Sequence, residues 1–313
     1  MAFMSSRVAL GMCFMTVSTF AAAAGASSLL DDYKRVTEQG RVINHFDIDN
    51  DSLLLNRDDG FYSSGVRYSR AHVLREGSGE TEFGWRFGQQ FYTASDIKLP
   101  PQLVGPPDHP YAAWLYFGFF KEARQEEGSS LRYGLDIGCL GPCAGGRWTQ
   151  TKLHQLLNQP VPQGWSRQMR NEWGAILYAD WAPVRWKPAS WLDATPVIHG
   201  RFGNIHTDAG AGITLRAGQL PNFANDAGLH AYLRLDATGV AYNATLQGGY
   251  FSSNNPHTVK PKRAVGEAEL GVAWSDGKYG ATAAIVRRST EIDALSNARG
   301  AQNFVRLLFT YAP

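Results

Sequence analysis

The sequence predicts an all-β protein: a 12-stranded antiparallel transmembrane β-barrel with a short helix in an extracellular loop. Three observations point there. An export leader opens the chain, segments of alternating polarity follow it, and no apolar run approaches the ~20 residues of a membrane-spanning helix. The chain has 313 residues, a formal net charge of +2, 19% charged residues and 33 glycines. So few charges and so many glycines exclude a coiled coil or a disordered protein. Near-neutrality excludes a nucleic-acid partner. The three cysteines, Cys13, Cys139 and Cys143, are too few for a disulfide scaffold and lack the paired spacing of a zinc ribbon. No HExxH or GxSxG motif is present.

The leader comes first. Arg7 is the only charge before Asp31, an apolar run fills 8–20, and small residues at 21–26 supply an A-x-A cleavage site. This is the pattern of a secretory signal peptide, cleaved near Ala24 or Ala26. The expected organisation is therefore a signal peptide over 1–26 and a single outer-membrane barrel domain over 27–313.

The strands come next. Phe83, Trp85, Phe87 and Gln89 alternate with Gly84, Arg86, Gly88 and Gln90, and Leu229 to Asp236 repeat the pattern. So do Phe304, Arg306, Leu308 and Thr310 against Val305, Leu307, Phe309 and Tyr311. Such period-two segments suit strands with one face to lipid and one to a lumen. A soluble lipocalin-like barrel or a sandwich gives a similar local pattern. Export and a content of 9 Trp, 13 Tyr and 16 Phe favour the outer membrane.

Strands are expected at 44–54, 61–74, 81–92, 111–121, 130–139, 171–182, 190–202, 207–217, 229–247, 263–274, 279–289 and 301–311. Twelve is an even number, as bacterial barrels require. With both termini in the periplasm, the short segments 75–80, 183–189 and 275–278 become inner turns. The long segments 93–110, 140–170 and 248–262 become outer loops. Within 229–247, Thr238-Gly239 is a competing turn signal.

Polar groups then converge on the outer side. Asp47, Asp49, Asn50 and Asp51 lie toward the outer end of the first strand, and Ser63 and Ser64 open the second at the same level. The loop 140–170 contains a helical pattern over 149–158 in which Leu153, Leu156 and Leu157 share a face, with His154 to its side. A mouth helix bearing a histidine near carboxylates and hydroxyls fits a hydrolytic site. An ordinary loop histidine is the competing reading.

These features, in order, resemble a known family. The residues are Asn50-Asp51, Tyr62-Ser63-Ser64-Gly65, Gly88-Gln89-Gln90-Phe91-Tyr92-Thr93 and Asp108-His109-Pro110-Tyr111-Ala112-Ala113-Trp114-Leu115. They continue with Asp136-Ile137-Gly138, Gly141-Pro142, Ala144-Gly145-Gly146, His154, Gly164-Trp165-Ser166-Arg167-Gln168 and Asn171-Glu172. The set resembles the lipid A 3′-O-deacylases of the Gram-negative outer membrane.

The resemblance implies a twelve-stranded barrel and a Ca²⁺-dependent carboxylic ester hydrolase. Such an enzyme removes the 3′-linked acyloxyacyl chain of lipid A (lipopolysaccharide) in the outer leaflet. It assigns the catalytic histidine to His154, an Asn-Asp pair to Asn50 and Asp51, and a hydroxyl, often Thr in the family, to Ser63. For a basic residue contacting lipid phosphate, Lys98 is nearest, with Leu99 at the aligned position. His109 and Ala113 replace the more usual Arg and Gly, and the chain ends Tyr311-Ala312-Pro313 where an aromatic terminus is typical of barrels. A monomer is expected.

The chemistry is consistent on its own terms. Ester hydrolysis needs a base for water, and imidazole titrates near physiological pH. A Ca²⁺ ion supplies charge for the oxyanion, and it takes carboxylate, amide and carbonyl oxygens, which Asp51, Asn50 and their surroundings offer. An EF-hand is set aside, because Ser52 replaces the turn glycine and Asp58 the bidentate glutamate. Three alternatives stay open. Ser63 is a nucleophile with His154 as its base, as in a phospholipase-like barrel. Glu172 orients His154 or binds metal. Or the barrel is a non-enzymatic porin. Cys139 and Cys143 are either bonded across the short turn between them or free.

Overall fold

The computed structural model describes residues 29–51, 53, 60–223 and 225–313. The expected signal peptide and Cys13 lie outside these residues, as do Ser52 and Asp58.

Helix α1 (Leu29–Gln39) leads into β1 (Arg41–Asn50), β2 (Phe61–Glu76), β3 (Gly79–Thr93), β4 (Ala112–Gln125) and β5 (Ser130–Leu140). After α2 (Gly146–Leu156) come β6 (Glu172–Ala182), β7 (Trp186–Ala189), β8 (Leu192–Gly203), β9 (His206–Gly218) and β10 (Gly228–Asn243). A one-turn α3 (Ala244–Gln247), β11 (Ala264–Ser275), β12 (Tyr279–Arg288), α4 (Asn297–Gly300) and β13 (Gln302–Tyr311) complete the chain. Sequence neighbours pair antiparallel, β1 pairs with β13, and β6 pairs with β8. Twelve long strands thus close a barrel, while the four-residue β7 is a side hairpin on β8 inside the expected inner turn.

Strand positions agree with the alternation to within a few residues. The largest differences are β1, which begins three residues early and ends at Asn50, β4, which runs four residues on to Gln125, and the 229–247 segment. That segment is one strand through Thr238-Gly239, but it ends at Asn243, where the Asn243 side chain accepts from the Thr245 N–H and starts α3. The loop asymmetry holds for the three long outer connections. It fails between β8 and β9, joined through 204–205 on the outer side, and between β9 and β10, where the inner connection spans 219–227.

The outward faces carry the lipid-facing surface. On β6, Trp173, Leu177 and Trp181 are exposed at every fourth residue. Eight residues at ~3.3 Å, tilted by ~40°, rise roughly 20 Å, close to the height of the apolar band of such barrels. The lumen is filled rather than open. Its outer end holds a core of Tyr62, Tyr92, Trp114, Tyr116 and Phe304. Ion pairs line it as well: Arg201 of β8 with Asp208 of β9 and Arg306 of β13 with Asp49 of β1 join neighbouring strands, whereas Arg86 of β3 with Asp136 of β5 (2.8 and 2.6 Å) and Arg306 with Glu269 of β11 reach across an intervening strand. Charges withdrawn from water are tolerable only when paired in this way.

Candidate active site

The parity of the strands decides on which side of the wall the site lies. In β3, Gln90 and Tyr92 line luminal cavities, as do Trp114 and Tyr116 in β4. Their neighbours Gln89, Phe91, Thr93, Ala113 and Leu115 therefore face outward. Around them a second core assembles outside the barrel, from Phe91, Ala94, Val104, Tyr111, Ala113, Ala144 and Trp165. The connections 94–111 and 141–171 are folded down against the outer end of the wall, and α2 lies there.

Asn50 ends β1 and Asp51 follows it. Asp49 points inward, accepting from the Tyr62 hydroxyl at 3.0 Å and from Arg306 Nε at 2.9 Å. Asn50, the last residue of β1, is thereby turned outward, opposite Ser64 and Val305. Asp51 is buried. Its Oδ2 accepts from the Gly60 N–H at 3.0 Å, and its own N–H donates to the Ser63 carbonyl at 3.4 Å.

Ser63 owes its direction to a β-bulge. Tyr62 sits opposite Tyr92 and Ser64 opposite Phe91, so Ser63 is an inserted residue. Bulges re-aim side chains and often stand beside active sites. Here Tyr62 stays in the lumen, while Ser63 Oγ reaches Thr93 Oγ1 at 2.5 Å. Two residues earlier Phe61 adopts a left-handed φ of 64°, unusual for a bulky side chain and a mark of local strain. Sequence reasoning included Thr93 only within a motif. Its place at the end of the outward series Gln89, Phe91, Thr93 was the available signal.

His154 comes from α2, and the helix is oriented against the simplest expectation. Its buried stripe is Gly146, Gln150 and His154, at i, i+4 and i+8, whereas Leu153, Leu156 and Leu157 are exposed. Gly146 abuts Ala113 and Trp165, and Trp165 Nε1 donates to Gln150 Oε1 at 2.8 Å. Exposed leucines on a helix packed against the outside of a barrel wall are those of an amphipathic helix whose apolar face is turned away from the protein. His154 Nδ1 lies 2.7 Å from the Pro160 carbonyl oxygen. A carbonyl only accepts, so Nδ1 carries the proton and Nε2 of the neutral ring is the basic atom.

Lys98 is exposed in the 94–111 connection, its N–H donating to Asp96 Oδ1 at 2.8 Å. The carbonyl of adjacent Ile97 accepts from the Gln163 N–H at 2.9 Å, which ties the loop of Lys98 to the loop of His154. Glu172 is buried, and its Oε1 accepts from Asn204 Nδ2 at 3.1 Å and the Phe251 N–H at 2.9 Å. It fastens the 244–263 connection to β6. Cys139 and Cys143 form a disulfide, and Asn171 Oδ1 accepts from the Cys143 N–H beside it.

Two outer-loop histidines support this layer. His109 stacks on Tyr92 at 5.3 Å and donates from Nδ1 to the Pro110 carbonyl, while His257 donates from Nε2 to the Asp108 carbonyl at 3.3 Å. Burial pushes both imidazoles below the ordinary value.

For a hard cation, the outward face of β1–β3 offers the Asp51 carboxylate, the Asn50 amide, the Ser63 and Thr93 hydroxyls and backbone oxygens. Among the described residues no group of three or more His, Cys, Asp or Glu side chains is arranged to hold a metal ion. The donor set is oxygen-only and carboxylate-poor, which suits Ca²⁺ completed by other oxygens better than Zn²⁺.

The family described as Outer membrane protein LpxR matches residues 9–312. The chain belongs to the LpxR family. Among solved structures, LpxR from Salmonella typhimurium superposes with a TM-score of 0.72 at 17% identity, over 87% of this chain and 100% of that one. That likeness fixes the LpxR barrel as the fold. The β domain of the Bordetella autotransporter Brka matches at 12% identity and a TM-score of 0.49, over 87% of this chain and 98% of that one. No curated protein matches the chain in sequence. Membership of the LpxR family and the lipid-facing barrel together support an outer-membrane location.

Proposed function

We propose that the protein is a lipid A 3′-O-deacylase: a hydrolase that removes the 3′-linked acyloxyacyl chain of lipopolysaccharide in the outer leaflet. The observation that carries this reading is the side of the wall on which the polar residues gather. Asn50 and the hydrogen-bonded pair Ser63 and Thr93 lie on the outward side of the strand ends, Asp51 is bound to Gly60 and Ser63 beside them, and α2, which carries the buried His154, packs on β3 and β4. A site for an amphiphile that never leaves the membrane belongs there and not in the lumen.

In this reading His154 Nε2 accepts the proton of the attacking water, and the Pro160 carbonyl holds the ring in the basic tautomer. Ser63 and Thr93 position the ester and water through their shared hydrogen bond. Asp51 and Asn50 hold Ca²⁺, which when bound supplies positive charge for the developing oxyanion. Lys98, on the outer surface of the adjoining loop, attracts the lipid A phosphate. Ser63 as a nucleophile is the second reading, favoured by its burial beside Thr93 at a strained bulge. The filled lumen argues against a porin. Mass spectrometry of lipid A after incubation with the purified protein tests the proposal. Release of the 3′ chain supports it, release of glycerophospholipid acyl chains instead supports a phospholipase, and intact substrates throughout contradict catalysis.

A further inference from the structure

Helix α1 is unaccounted for by the reaction, and its environment divides into three sectors. One sector grips the outside of the barrel. Phe83 of β3 points outward, since its neighbour Gly84 packs on luminal Ala71 and Phe120, and Tyr33 meets Phe83 edge-on at 5.6 Å. Outward-facing Lys121 of β4 donates to Asp32 at 3.0 Å, Arg35 pairs with Glu76 at 3.1 Å, and Val36 is fully buried. These partners lie near the β2–β3 turn, so α1 rests against the inner end of the wall.

A second sector is apolar and exposed: among the described residues Leu29, Leu30 and Tyr33 are 57%, 59% and 50% exposed. At about 100° per residue, Val36, Leu29, Tyr33 and Leu30 fall within an arc of about 120°. The third sector, with Asp31, Lys34 and Glu38, is charged and exposed. Wall, apolar medium and water follow one another around the helix axis. Such a sequence of neighbours exists in the corner where the barrel meets the membrane surface.

We propose that α1 is an interfacial helix that docks on the phospholipids of the inner leaflet. Leu29, Leu30 and Tyr33 enter the acyl-chain boundary, continuous with the barrel's lipid-facing band, while Asp32 and Arg35 clamp the helix to β4 and β2. Interfacial helices of this kind lay an apolar face at the headgroup boundary and keep a charged face in water. The occupant is lipid because the exposed apolar sector adjoins Phe83, itself on the lipid-facing side. The inference is independent of the reaction on the opposite rim.

The test uses the protein freed of the expected leader, and with it of Cys13, in vesicles of phosphatidylethanolamine and phosphatidylglycerol. A nitroxide is attached to Leu30→Cys and, separately, to Glu38→Cys, the two native cysteines of the barrel being bonded to each other. Collisions with oxygen, which partitions into lipid, are compared with collisions with a polar nickel chelate. The proposal expects oxygen to dominate at position 30 and the chelate to dominate, severalfold, at position 38. Equal access of the chelate to both positions overturns it. Leu29→Cys provides a second probe should the label at position 30 prevent folding, and the same two outcomes apply.

Discussion

The imidazole Nδ1 of His154 and the carbonyl oxygen of Pro160 lie 2.7 Å apart within one outer loop. That bond sets the proton on Nδ1 and leaves Nε2 as the base, with the ring itself buried. Only an imidazole with an open lone pair accepts the proton of water, so the role is lost when the ring is removed. A His154→Gln substitution keeps polarity and size without the base, and general-base losses are about 10²- to 10⁴-fold. Steady-state rates on purified lipid A, with heat-modifiability as the folding control, check this. A folded His154→Gln protein with wild-type turnover would end the catalytic role.

Asp51 is held at its Oδ2 by the Gly60 N–H and through its own N–H by the Ser63 carbonyl. Asp51→Ala should reduce turnover by about 10²- to 10³-fold, the scale of a lost electrostatic contribution to the oxyanion. A calcium chelator should do the same to the wild type, and added Ca²⁺ should restore it. Unchanged turnover after exhaustive chelation rejects the calcium proposal.

Ser63 separates two mechanisms. If it only positions water through Thr93, Ser63→Ala retains a measurable rate and Thr93→Ala is similarly impaired. If it is the nucleophile, Ser63→Ala is inert, whereas the wild type accumulates an acylated peptide containing Ser63 when quenched during turnover. Intact-protein mass spectrometry distinguishes the two.

The loop layer should respond to acid. His109 is faced by Asp108, Glu291, Tyr92 and His257, and His257 by Asp108 and Arg167. Burial lowers both imidazoles below 6.5, so the undocked loops bind protons more readily than the packed ones. The packing is at full strength above 6.5 and weakens as pH falls below it. Protease cleavage of sealed cells within 93–110 and 248–262 should quicken at pH below 6.5 and stay slow above it. Cleavage at 75–80 from outside would invert the topology.

Much of this architecture was legible in the sequence because a barrel writes itself in period two. Gly228–Asn243 reads as one strand despite Thr238-Gly239, since polarity keeps alternating through the glycine. The bulge at Ser63 was not legible: an inserted residue shifts parity by one, and no residue type announces it. Nor was the orientation of α2. A leucine stripe marks a buried face only when the surroundings are water, and here Leu153, Leu156 and Leu157 are exposed while Gly146, Gln150 and His154 turn to the protein. Helix α1 was missed although Leu29, Leu30, Tyr33 and Val36 carry its period, because eleven residues beside a small-residue leader give a weak signal. The partners of Arg306, from β1 and β11, are fixed by closure and not by any local pattern.

Loss of the 3′ acyloxyacyl chain of lipid A through His154 is visible in the mass of lipid A itself. Lipid A is extracted from Gram-negative cells expressing the wild type or His154→Gln, and its mass is measured. Lipid A should be lighter by the 3′ acyloxyacyl group with the wild type and of full mass with the variant, both proteins being folded in the outer membrane. Full-mass lipid A with the folded wild type, or the same loss of mass with His154→Gln, would contradict it.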